Sequence, residues 1–197
     1  MIHEHAHVET GSQIGPETRV WSHTHIRVGA QIGDKGVIGE NVFIDSDVRI
    51  GNNVKIQNGA QIFSPAVIES GVFVGPGVIL TNDKYPRAVN SDLSVKLASD
   101  WTASGVYLEE GASLGAGVIC IAPVKVGKWA LVGAGSVVVK DVPAQGLVVG
   151  NPATQIGWVN KSGTRLKAAS NLNHFIDEES GQVYEVVEGA LEMKLGL

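Results

Sequence analysis

Four histidines recur at a fixed interval: His5 and His23 are 18 residues apart, as are His7 and His25. Imidazoles at such spacing suit a general base or a metal site, and zinc in a catalytic site asks for three converging protein ligands with a fourth position open. Asp83 is a second candidate base, although an aspartate that opens a loop commonly caps it instead. The single cysteine, Cys120, offers a thiol nucleophile. Near Asp83, the run Thr81-Asn82-Asp83-Lys84-Tyr85-Pro86-Arg87 carries polar groups able to contact a charged or hydroxyl-rich ligand.

What positions these groups is a repeat. An aliphatic residue stands at every sixth position from Ile2 through Val8, Ile14 and Val20 to Val74 and Leu80, then in a new frame at Leu108, Leu114, Cys120, Val126, Val132 and Val138. A helix of 3.6 residues per turn scatters every sixth residue around its axis, so the period excludes an amphipathic helix. Short strands ended by tight turns produce it. Glycine often follows the aliphatic (Gly15, Gly33, Gly51, Gly115, Gly133), where it is expected to relieve turn strain. Three hexads close a triangular coil of 18 residues, and coils stack about 4.8 Å apart. The expected fold is therefore an all-β parallel β-helix, and a β-sandwich is disfavoured because its strands alternate at period two between irregular loops. Cys120 sits on a core rung, which makes it a packing residue.

From Leu80 to Leu108 the spacing is 28 residues where an uninterrupted prism needs six. The extra 22 residues, within 81–105, must leave the prism as a loop, and so long an excursion from a strict scaffold points to function. The repeat region is expected over 1–158. A more polar extension covers 159–197, with a β-hairpin expected around Glu179-Ser180-Gly181.

With 197 residues, 18% charged residues and a net charge of -5, the chain fits one soluble globular domain with an appendage. Scattered Lys and Arg disfavour nucleic acid as a partner. The beginning lacks the pattern of a signal peptide and no apolar run reaches membrane-spanning length, so a cytoplasmic protein without a membrane partner is expected.

Several segments resemble the left-handed β-helix acyltransferases: Ile50-Gly51 through Asn58, 81–87, Gly111-Ala112-Ser113-Leu114-Gly115-Ala116-Gly117, Val132-Gly133-Ala134-Gly135-Ser136 and Gly150-Asn151-Pro152-Ala153. Within that family the chain is most similar to N-acetyltransferases that modify the 3-amino group of nucleotide-activated sugars in bacterial O-antigen and S-layer glycan pathways. The resemblance implies the left hand of the helix, a homotrimer with sites between neighbouring prisms, and acetyl-CoA as co-substrate. It implies an acceptor that is a dTDP-linked 3-amino-3,6-dideoxyhexose or a UDP-linked 3-amino uronic acid.

By the same resemblance, Asn82 matches the position that holds the acceptor amine through its side-chain carbonyl. His25, Asn58, Asp83, Tyr85 and Arg87 are expected at the sugar-nucleotide. Ala116, Ala122 and Ala134 are expected beside the pantetheine arm, where backbone amides are exposed, with Lys140 at a phosphate of coenzyme A. The period also measures distance: residue 25 maps to 43, 61 and 79, three coils or about 14 Å along the stack, which is too far for His25 to serve an amine held at Asn82.

Two alternatives share the prism. A γ-type carbonic anhydrase would use zinc, but that family places its histidines about two coils apart, a spacing absent here; no metal is expected. O-acetyltransferases of small hydroxyl substrates use a loop histidine to activate the hydroxyl, and residues 81–105 contain none.

Overall fold

The computed structural model describes residues 1–169 and 173–194. Two-residue strands follow one another every six residues, beginning at His7–Val8, Gln13–Ile14 and Arg19–Val20. Each pairs in parallel with the strand 18 residues later, as His7 does with His25 and Gln13 with Gln31. The strands stack into three sheets of seven, six and eight strands, which form the faces of a left-handed parallel β-helix of about 8 turns.

The rung side chains point inward. Val20, Ile26, Ile38, Ile44, Ile56, Ile62 and Leu80 are fully buried, as are Leu108, Leu114, Cys120 and Val132 in the second frame. Small or β-branched residues four positions later fill the corners, and where these carry hydroxyls the groups are satisfied: Thr18, Thr24 and Ser136 donate to the carbonyls of Gly33, Gly39 and Gly133 at 2.6–2.7 Å. Burial of a core column this continuous supplies the main folding drive, at about 25 cal/mol per Å² of apolar surface.

Glycines do two different jobs at the corners, and the structure revises the expectation of turn strain for one set. The glycine directly after a rung has an ordinary φ, but the next coil passes close by. A Cβ on Gly115 would lie 2.6 Å from the Ala134 nitrogen. Left-handed backbone occurs two residues further on, at Gly59, Gly77, Gly117 and Gly135, and also at His23, Asn41, Asp47 and Trp129.

Residues 81–105 leave the prism without interrupting it. Val106–Leu108 pairs with the strand before the excursion, Val67 opposite Tyr107 and Ile68 opposite Leu108. The excursion closes at its root, where Ser104 N–H donates to the Asn82 carbonyl at 3.0 Å. It contains a Val89–Val95 antiparallel bridge and a short 3-10 turn, Ala98–Asp100.

Gly146–Gly150 continues the stack in parallel with Leu131–Val132, and the chain then turns at Asn151-Pro152 and runs back antiparallel as Ala153–Trp158. A four-stranded antiparallel sheet follows, its strands His174–Ile176 and Val183–Val187 joined across Glu179-Ser180-Gly181. Trp158, Leu166 and Tyr184 form a small second core, and buried Asn160 ties the segments by donating to Asp177 at 3.0 Å.

Candidate active site

The rungs Leu80, Cys120 and Val138 stack in register on one face. Two residues beyond them, on the corner where the excursion begins, stand Asn82, Ala122 and Lys140. Thr81 still belongs to the prism: its N–H donates to the Cys120 carbonyl and its Oγ1 accepts the Ala122 N–H, both at 3.0 Å. The chain therefore departs at Asn82, which is half-buried. Among the described residues, no protein hydrogen bond engages the Asn82 side chain. Lys140 is exposed two coils above it, about 10 Å along the stack.

Asp83 shows what its neighbour does not, a side chain spent on local structure. Its Oδ1 accepts the Tyr85 N–H at 2.8 Å and makes the turn that shapes the loop. Tyr85 is 73% exposed, and exposed Arg87 donates to the Pro86 carbonyl.

The opposite edge of the same face carries the other expected residues. Gly115-Ala116-Gly117 and Gly133-Ala134-Gly135 stack on Pro76 through Gly117 N–H to Pro76 and Gly135 N–H to Ala116, both 2.8 Å. Ala116 and Ala134 are exposed on this corner, while Asn58, one coil below Pro76, accepts the Glu40 N–H at 3.0 Å. A groove of about 270 Å³ continues downward, lined by Trp21, Glu40, Gln57 and Asn58. Between the edges lie the half-buried Ile79, Ile119 and Val137.

Ala122 differs from the expectation that an exposed amide lies beside it. Its methyl is fully buried and its N–H is taken by Thr81. The sequence registers only a small residue at a corner, and cannot say whether it faces inward. Cys120 is a core rung as expected; burial pushes its thiol up to about 12, so it stays protonated and unreactive at neutral pH.

Below the loop corner runs a charged ladder. Phe63 packs at a tilt against Phe43 (5.6 Å between centroids), Phe43 meets His25 edge-on (5.7 Å), and His25 meets His7 (4.8 Å). Beside them, His25 Nε2 lies 2.8 Å from Glu9 Oε1, and Arg27 donates to Asp45 at 2.8 Å. The Val28 N–H, then His25 and Arg27, hold the Glu9 carboxyl below the usual range. Burial pushes the Asp45 carboxyl up, but the N–H groups of Ser46 and Ser64 and the Arg27 guanidinium outweigh it, leaving Asp45 low. His25 thus pairs with the Glu9 carboxylate, three coils below Ile79 as the period requires. Arg27, Asp45 and Glu9 escaped the sequence analysis because charged residues at solvent-facing corner positions carry no periodic mark.

Residues 47–82 match the family of bacterial transferase hexapeptide (six repeats). The chain is similar to a dTDP-3-amino-3,6-dideoxy-alpha-D-galactopyranose 3-N-acetyltransferase of Aneurinibacillus thermoaerophilus, 38% identical over 42% of this chain and 41% of that protein. It is also similar to a galactoside O-acetyltransferase of Lactococcus lactis, 37% identical over 46% and 42% of the two chains. The chain thus spans about two fifths of the length of these relatives. Among solved structures, an acetyltransferase-like protein of Bacillus cereus superposes with a TM-score of 0.56 at 22% identity over 79% of this chain and 78% of that one, a likeness of fold. The six-residue period of the matched segment continues in the same three-faced coil from Ile2 to Val138, so the hexapeptide-repeat architecture extends over the whole prism.

Proposed function

We propose that the protein is an acetyl-CoA-dependent N-acetyltransferase whose acceptor is the 3-amino group of a nucleotide-linked sugar, serving surface-glycan biosynthesis. The observation that carries this is Asn82: half-buried at the mouth of a long excursion, with a side chain that no hydrogen bond among the described residues engages, beneath Ala122 and Lys140 in the stack. An amide there has one acceptor oxygen to orient an amine N–H. The similarity to a 3-N-acetyltransferase supports the acceptor class.

The chemistry follows from that placement. The neutral amine, aligned by Asn82 Oδ1, puts its lone pair on the thioester carbon; the carbon–sulfur bond breaks, and the departing thiolate takes the amine's surplus proton, leaving amide and free thiol. His25 is too far away to act as base, and the Glu9 carboxylate paired with it does not favour a diphosphate there. Tyr85 and Arg87 on the loop are the proposed sugar or diphosphate contacts, and the groove beside Asn58 and Trp21 the proposed berth of the nucleoside end, where an exposed indole offers a stacking surface.

The two edges that carry these residues are about six residues apart across one face, from Pro76 to Asn82, up to roughly 20 Å of extended chain. One chain therefore does not close both edges around a single acetyl group. A homotrimer, in which the Asn82 edge of one prism faces the Ala116 and Ala134 edge of another, brings them together and covers Ile79, Ile119 and Val137. Coenzyme A would then lie along Ala116 and Ala134 with Lys140 toward a phosphate.

Measuring thiol release from acetyl-CoA with dTDP-3-amino-3,6-dideoxyhexose and UDP-3-amino uronic acid tests the reading. Loss of a single orienting hydrogen bond in Asn82→Ala should lower kcat/KM about 10–100-fold; an unchanged rate would remove Asn82 from the site. Galactoside acetylation in a relative keeps hydroxyl transfer as the second reading, and turnover of a hydroxyl acceptor in preference to both amines would favour it.

A further inference from the structure

The histidine ladder has a use that the transfer reaction does not absorb. His7, Glu9 and His25 each present one donor atom, and these lie within 4.8 Å of one another. We propose that these three side chains bind a divalent transition-metal ion of the zinc type, clipping the first coil of the prism to the second.

Several features prepare the site. Strand register places His7 directly against His25, so the two rings come from adjacent coils without any long-range coincidence. Glu9 Oε2 accepts the Val28 N–H at 2.9 Å, which turns Oε1 toward the rings, and Phe43 braces the His25 ring edge-on. Such outer contacts fix ligand orientation before an ion arrives. Zinc–nitrogen and zinc–oxygen bonds of about 2.0–2.2 Å put tetrahedral donors about 3.3 Å apart, so the ion needs only a small opening of the 2.8 Å His25–Glu9 contact and a turn of exposed His7. Arg27 Nε stands 3.8 Å from Glu9 Oε1, while its Nη1 is held on Asp45 at 2.8 Å. Asp45 offsets its charge. Two imidazoles and one carboxylate select zinc or its late transition-metal neighbours over magnesium, which prefers an all-oxygen shell.

The clip falls where the prism core is least covered. Ile2 is 49% exposed and Val8 and Ile14 are half-buried, whereas Val20 and Ile26 in the next turn are fully buried. An ion bound only when the two coils are stacked shifts the equilibrium toward that stacking.

The test uses the tag-free full chain after chelator treatment, titrated calorimetrically with zinc chloride and separately with magnesium chloride. The expected result is one zinc per chain at micromolar or tighter affinity, no magnesium binding, and a melting midpoint raised several degrees by zinc. His7→Ala and His25→Ala should each weaken zinc at least tenfold and abolish the thermal shift. The His5→Ala/His23→Ala double variant, which alters the neighbouring stacked pair, should retain both. Exposed His7 has no folding role to lose, so its variant reads the site alone. Absence of saturable zinc binding, binding unchanged in His7→Ala and His25→Ala, or loss of binding in the double variant instead, would each overturn the proposal.

Discussion

Asn82 and Thr81 are chain neighbours with opposite duties. Thr81 Oγ1 satisfies the buried Ala122 N–H, so Thr81→Val orphans that donor and should destabilise the fold by about 1–3 kcal/mol, read as a lowered denaturation midpoint. Among the described residues the Asn82 side chain makes no such bond, so Asn82→Ala should leave stability within about 0.5 kcal/mol while lowering kcat/KM about 10–100-fold. Cys120, a rung with its thiol pushed up to about 12, should resist alkylation in native protein and react only on unfolding. The role of Cys120 was legible in the sequence because a periodic position states which way a side chain points. Ala122 was not, because its corner falls outside the rung series, and only the coil above the loop reveals that its methyl is inward.

The hexad corners and the excursion are the elements on which the proposed site is built. The rung period was readable over almost its whole length, and the break at 81–105 marked the excursion by subtraction alone. What escaped was the division of labour among glycines, since close approach by the next coil leaves no local signature. Gly115→Ala drives a Cβ to 2.6 Å from backbone that cannot yield, whereas Gly117→Ala meets open space and bears only left-handed strain of about 1–2 kcal/mol. Thermal melts should rank Gly115→Ala as the more damaging of the two. The corner carboxylates tie successive coils: the Val28 N–H chiefly holds Glu9 low, and the Tyr107 hydroxyl chiefly holds Glu69 low. Both have ordinary values of 4.5, so the stability they confer is complete above about pH 5. It is lost as pH falls through their lower folded values, and the melting midpoint should decline between pH 5 and pH 3.

For the molecule as a whole, strict coil stacking makes position along the axis a distance scale, and that scale separates the functions. The proposed reaction centre lies at the Asn82 level, the proposed metal clip three and four coils below it, and the small antiparallel sheet beyond Trp158 packs its own core. Because the excursion closes on itself at Asn82 and Ser104, replacing residues 84–102 with a short glycine linker should preserve the β-sheet circular dichroism of the prism while abolishing transfer. The most direct test of the central claim is the rate of coenzyme A thiol release from acetyl-CoA with a nucleotide-linked 3-amino sugar, compared between the wild-type chain and Asn82→Ala. Amine-dependent release that falls about 10–100-fold in the variant is the predicted result. Release that requires no amine, or a variant that matches the wild type, would contradict it.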